Sequence, residues 1–281
     1  MRVLNHVARA LLPKPLIPAT RRLAVRAGLV QDKPLCYPFW ETLHHYPTPR
    51  PHYRWGTLCA AFLAKQLGYP RISVIEFGVA GGDGLLALEN VAAEAAAAAG
   101  IAIDVYGFDS STGLTKPQDY RDLPQLWGEG DYKMDVPRLK SRLKTAQLVL
   151  GPVAETVPRF LAGAPAPIGF VVFDLDLYSS TMDAFRIFQG ADELLLPRVT
   201  CYFDDIIGYS HSDFNGERLA IADFNRAHEL RKISQIYGLR HALHLDQWWV
   251  DMMYMFHAFH HPRYKDFDGT NPWREIPLAA E

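Results

Sequence analysis

The sequence predicts an α/β fold, a doubly wound, mostly parallel sheet with helices on both faces, carried behind an N-terminal helical and irregular appendage. Three observations predict it. From residue 72 onward, short apolar runs of strand length alternate with segments of helical period, the signature of a parallel sheet. A glycine-rich turn joins the first of these strands to the first of these helices. Two later strands each end in a pair of aspartates, and in open α/β sheets ligands bind beyond the carboxyl ends of the strands.

Residues 1–70 are assigned to the appendage and residues 71–281 to the sheet domain. The appendage opens on Arg2, Arg9, Lys14, Arg21, Arg22 and Arg26, with no acidic residue before Asp32. Such a start suits a transit peptide, a membrane-surface helix or a docking arm; it equally suits a short helix with its arginines in solvent. Residues 31–55 are rich in proline and aromatics and read as irregular. Tyr37, Phe39, Trp40, Tyr53 and Trp55 there form either an aromatic lid or ordinary packing. A helix is expected from Gly56 to Leu67, stopped by Gly68.

The alternation then runs in order. ISVIEFGV (72–79) reads as a buried strand and LLALENVAAEAAAAA (85–99) as an alanine-rich helix stopped by Gly100. DVYGFDSS (104–111) is the second strand, followed by a long polar loop to about Tyr132. A short helix (136–144), a third strand (147–153) and another helix lead to FVVFDLDLYSST (170–181), a strand ending in Asp174-Leu175-Asp176. Ser179 or Ser180 is expected to cap the helix that runs on through TMDAFRIFQGADELL. VTCYF ends in Asp204-Asp205, a helix follows around ERLAIADFNRAHEL, and two apolar runs, ISQIYGL and QWWVDMMYMFHAF, close the chain as a strand pair.

Composition narrows the function. The 281-residue chain has a formal net charge of -2, which argues against a general nucleic-acid binder. Its three cysteines are far apart, so neither a disulfide framework nor a cysteine metal knuckle is available and a reducing, cytoplasmic setting is expected. No apolar run approaches the roughly 20 residues of a membrane span.

Chemistry concentrates at the strand tips. Asp174, Asp176, Asp204 and Asp205 would repel one another strongly unless a cation or shared protons offset their charge. The turn after the first strand misses the dinucleotide pattern G-x-G-x-x-G, and Asp83 would sit where a pyrophosphate belongs. An acidic turn suits a ligand with an amino group and hydroxyls, such as S-adenosylmethionine. Asp109 stands where doubly wound folds hold ribose hydroxyls.

EFGVAGG, YGFDSSTGL, GPVAETVP, FDLDLYSST and CYFDDI, spread over residues 72–226, together resemble class I S-adenosylmethionine-dependent methyltransferases. More narrowly they resemble the macrocin O-methyltransferase family, metal-dependent sugar O-methyltransferases with a Rossmann-like sheet. The resemblance implies that Asp174, Asp204 and Asp205 hold Mg²⁺ and that Asp176 is the general base. It also implies a cofactor site at Glu76, Gly78, Val79, Gly82, Asp109 and Ser110. A likeness to catechol-type methyltransferases would imply a lysine where this chain has Leu177, so an aliphatic hydroxyl is the better expectation.

The expected function is Mg²⁺-dependent methylation of a hydroxyl on a sugar or glycosylated small molecule. The competing readings are methylation of another small acceptor such as a phenol, a nicotinamide oxidoreductase, and a non-catalytic scaffold docking through the basic N-terminus. His211, close behind the aspartate pair, is a further candidate for substrate contact. A homo-oligomer assembled through the N-terminal segment is also expected.

Overall fold

The computed structural model describes residues 50–240 and 247–266. The described residues fall within one compact unit, Thr48–Glu281. The basic arm, Tyr37, Phe39, Trp40 and the expected oligomer contact lie outside the described residues.

The described elements are α1 (Pro51–Gln66), β1 (Arg71–Phe77), α2 (Asp83–Ala99), β2 (Ala102–Asp109), α3 (Val136–Arg142), β3 (Gln147–Leu150) and α4 (Val153–Ala162). They continue with β4 (Ile168–Phe173), α5 (Tyr178–Ala184), β5 (Leu195–Phe203), α6 (Gly216–Ala227), β6 (Arg231–Gln235) and β7 (Met253–Ala258). The sheet has seven strands in the order β3-β2-β1-β4-β5-β7-β6. Strands β1 to β5 pair in parallel, while β7 runs antiparallel to both β5 and β6. The strand order reverses between β1 and β4, and at such a switch point a crevice opens beyond the strand ends.

Register sets that crevice. Phe108, Phe77, Phe173 and Phe203 are direct neighbours across β2, β1, β4 and β5. All four are fully buried, with Phe77 and Phe173 stacked at 5.6 Å and Phe173 and Phe203 at 4.7 Å. A fully buried apolar strand cannot slip by one residue without turning its core side chains over. The phenylalanine row therefore places the next residues, Asp109, Gly78, Asp174 and Asp204, along one edge. The ladder continues into them: Asp174 N–H donates to Phe77 O at 3.0 Å and Asp204 N–H to Phe173 O at 2.9 Å.

Four local expectations are corrected, the start of α1, the cap and the end of the helix after β4, and the start of β5. Helix α1 begins at Pro51, five residues earlier than Gly56, because proline at the first helical position loses no hydrogen bond and has its φ already set. Its Gly56 packs against the Phe170 ring, where a Cβ would stand 2.6 Å from a ring carbon. Tyr53 and Trp55 are fully buried on this helix, which is the packing alternative for these two rings.

Neither Ser179 nor Ser180 caps α5. The helix starts at Tyr178, and Asp122 from the β2–α3 loop takes the capping role, accepting Ser179 N–H at 2.8 Å and the Ser179 hydroxyl at 3.0 Å. Helix α5 also stops at Ala184, giving way to 3₁₀ turns over Phe185–Gln189 and Asp192–Leu194 on either side of Gly190. Strand β5 starts earlier than expected, at Leu195, and a register irregularity in its pairing with β4 accommodates Pro197. Among the described residues no helix is long and apolar enough to cross a membrane.

Candidate active site

A cleft of about 580 Å³ lies at the switch point. All ten residues singled out as cofactor, metal or base candidates line it: Glu76, Gly78, Val79, Gly82, Asp109, Ser110, Asp174, Asp176, Asp204 and Asp205.

The turn after β1 is shaped by close approach. Gly78 has φ +84°, and a Cβ there would stand 2.7 Å from the Asp174 carbonyl carbon and nearer still to its oxygen. Asp109 braces the same turn. Its Oδ2 accepts the N–H groups of Val79 and Ala80, each at 2.9 Å, and its Oδ1 accepts Ser111 N–H at 2.6 Å. The Ser110 hydroxyl donates to Gly113 O at 2.8 Å, so this side chain shapes the start of the β2–α3 loop.

Glu76 is buried beneath the turn. The Tyr53 hydroxyl donates to its Oε1 at 2.5 Å, while Oε2 has no partner. Burial above all pushes its carboxyl up to about 8. Arg50, whose Nη1 donates to the Tyr53 hydroxyl at 3.2 Å, is the one cationic residue on the cleft wall among the described residues. Burial works against the charge of its guanidinium, but Tyr53, Glu76, Asp174 and Asp204 nearby outweigh it and raise the proton affinity of the group.

Two of the four aspartates, Asp204 and Asp205, have carboxylates held by protein donors. Tyr202, fully buried at the penultimate position of β5, donates its hydroxyl to Asp204 Oδ1 at 2.6 Å. Asp205 Oδ2 accepts Asp176 N–H at 2.9 Å, and Asp205 N–H donates to Glu217 Oε2 at 3.0 Å. Burial, then the neighbouring carboxylates, raises Asp174 and Asp205 well above the usual carboxyl range. The same causes push Asp176 up to about 7. Asp176 also has a left-handed backbone, φ +62°, a conformation that costs a non-glycine residue about 1–2 kcal/mol.

The donor chemistry suits a hard divalent cation: several carboxylates on one wall, with no thiol or imidazole among the cleft residues. As the side chains stand, no group of three or more His, Cys, Asp or Glu among the described residues is arranged around one ion position. Hydrogen bonds to Tyr202 and to the Asp176 backbone set the present orientation of Asp204 and Asp205. The residues fit the cation in type.

His211 does not line the cleft. Its ring packs against Gly208, neither ring nitrogen has a partner, and burial lowers its proton affinity. Sequence reading missed Arg50, Tyr202, Glu217 and the loop residues Asp122, Trp127 and Tyr132. Only the position of Tyr202, two residues before Asp204 and so on the same strand face, offered a local signal.

No family model matches the chain, and no curated protein matches its sequence. Among solved structures it is similar to CalS11, a TDP-rhamnose 3'-O-methyltransferase of calicheamicin biosynthesis, at 19% identity and TM-score 0.42, covering 88% of this chain and 95% of that one. It is also similar to an O-methyltransferase from Bacillus cereus in complex with SAH, at 13% identity and TM-score 0.38, covering 91% and 96% of the two chains. Likenesses this distant leave function to be argued from the residues of the cleft.

Proposed function

We propose that this chain is an S-adenosylmethionine-dependent O-methyltransferase, assisted by Mg²⁺ or a similar divalent cation and acting on a hydroxyl of a sugar or glycosylated small molecule. One observation carries the reading. Asp176, a buried carboxyl, sits beside three further aspartates at the switch point, in one cleft with the glycine turn after β1. A carboxylate positioned beside cation-holding groups is what removal of a hydroxyl proton requires.

In this reading the turn residues Gly78, Val79 and Gly82 bring their backbone against the cofactor, Glu76 faces its amino group, and Asp109 with Ser110 lies beside its ribose. Asp174, Asp204 and Asp205 would hold the cation, which when bound lowers the pKa of the acceptor hydroxyl. Asp176 takes the hydroxyl proton as the oxygen attacks the sulfonium methyl carbon. The new C–O bond forms as the S–C bond breaks, and the sulfur keeps that electron pair as neutral S-adenosylhomocysteine. Enclosure by the strand tips aligns oxygen, carbon and sulfur, and that alignment supplies much of the rate.

Calorimetry tests the cofactor. S-adenosylmethionine and S-adenosylhomocysteine are expected to bind and NAD is not; NAD binding without S-adenosylhomocysteine binding overturns the proposal.

A further inference from the structure

The tip of β5 is tied to helix α6 by one fully buried side chain. Asp204 N–H donates to Phe173 O of β4 at 2.9 Å, and successive N–H groups of a strand point to opposite sides. Asp205 N–H therefore turns toward β7. That strand begins at Met253, opposite Tyr202, and its pairing with β5 ends there. Glu217, in the first turn of α6, takes the N–H instead: its Oε2 accepts Asp205 N–H at 3.0 Å.

Glu217 is fully buried, and its Oε1 has no partner among the described residues. A carboxyl group buried with one oxygen unpaired works against stability, and an apolar side chain of similar size would serve the fold better. The chain nevertheless brings it here by a defined route. The loop between Asp205 and α6 is closed by Ser212 N–H donating to Asn215 Oδ1 at 2.8 Å and by Asn215 Nδ2 donating to Ser210 O at 3.1 Å. Gly216 then starts the helix with φ +53°, and a Cβ there would lie 4.0 Å from Asp205 O. The first turn of α6 thus lies against the Asp205 backbone.

The pinned peptide is the one that joins Asp204 to Asp205. It is planar, so holding it fixes where both Cα atoms sit relative to the sheet while each carboxylate can still turn. Glu217 itself does not line the cleft. We propose that Glu217 is a positioning residue for the divalent cation: by holding this peptide it presents Asp204 and Asp205 to one ion without touching the ion. The proposal rests on the reading of Asp204 and Asp205 as cation ligands. Groups that orient metal-binding side chains from behind typically contribute about 10–100-fold to affinity.

The test is calorimetry of Mg²⁺ on the full chain saturated with S-adenosylhomocysteine, in the parent, Glu217→Met and Glu217→Gln. Methionine is similar in length but offers Asp205 N–H no oxygen. Glu217→Met should weaken Mg²⁺ binding by about 10–100-fold, while S-adenosylhomocysteine affinity without metal stays within about twofold of the parent. Glutamine keeps an oxygen for Asp205 N–H and should regain most of the loss. In the metal-free parent the Asp205 amide, followed by NMR, should exchange at least about a hundredfold more slowly than in the unfolded chain, a measurement that stands even if Glu217→Met does not fold. Unchanged Mg²⁺ affinity in Glu217→Met, a glutamine variant as weak as the methionine one, an equal loss of S-adenosylhomocysteine affinity, or fast exchange of the Asp205 amide overturns the proposal. A parent that fails to bind S-adenosylhomocysteine or Mg²⁺ removes the reading on which the proposal rests, and the proposal with it. Binding of both that ignores Glu217 sinks the positioning role alone.

Discussion

Replacing Gly78 by alanine tests the geometry of the switch point most directly. The residue has φ +84°, and a methyl group there would stand 2.7 Å from the Asp174 carbonyl carbon and closer to its oxygen. Two costs follow. A left-handed backbone disfavours alanine by about 1–2 kcal/mol. Overpacking adds about 1–3 kcal/mol, because the obstacle is backbone and no side-chain rotation relieves it. Relief requires β1 and β4 to part at the point where Asp174 N–H donates to Phe77 O at 3.0 Å. The expected destabilisation is therefore about 2–5 kcal/mol in urea unfolding, with weakened S-adenosylhomocysteine binding in calorimetry. Gly81→Ala is the control, since no heavy atom lies within 4 Å of a Cβ built there. Its stability should stay within about 0.5 kcal/mol of the parent. Equal stability of the two variants would refute the close approach of strand tip and turn.

Asp176→Asn should lower turnover by about 10²–10⁴-fold while S-adenosylhomocysteine affinity in calorimetry stays close to the parent value. Because the base must be ionised, parent activity should fall on the acid side, with its midpoint below the metal-free value of about 7 because the bound cation favours the carboxylate, and that limb should be missing from the variant's residual rate. Glu76 sets a trend of opposite sense in stability. Its folded carboxyl is raised from 4.5 to about 8, so its contribution is full below 4.5 and is lost as pH rises through about 8. Glu76→Gln should flatten that decline in urea midpoints measured across the window; an unchanged slope would mean Glu76 ionises freely. Deletion of residues 1–30 should leave a folded domain that still binds S-adenosylhomocysteine, since Thr48–Glu281 forms a compact unit. An insoluble product would place the arm in the core or in an interface.

Local pattern carried most of the fold. Strand-length apolar runs, the alanine-rich helix closed by Gly100 and the aspartates at the tips of β4 and β5 are all visible in consecutive residues, because periodicity and turn chemistry act over short range. Their placement on one sheet edge followed from strand direction alone. Helix boundaries were less legible. Proline at the start of α1 looked like a breaker but serves as its first residue, and the cap of α5 comes from Asp122, 57 positions away from Ser179. The electrostatics of the site belonged entirely to the tertiary structure. Whether Asp176 ionises near neutral pH depends on its burial beside Asp174 and Asp204, and the orientation of Glu76 depends on Tyr53, 23 residues upstream. Desolvation and hydrogen bonding act through space, so the sequence names the carboxylates while only the packed chain decides their charge.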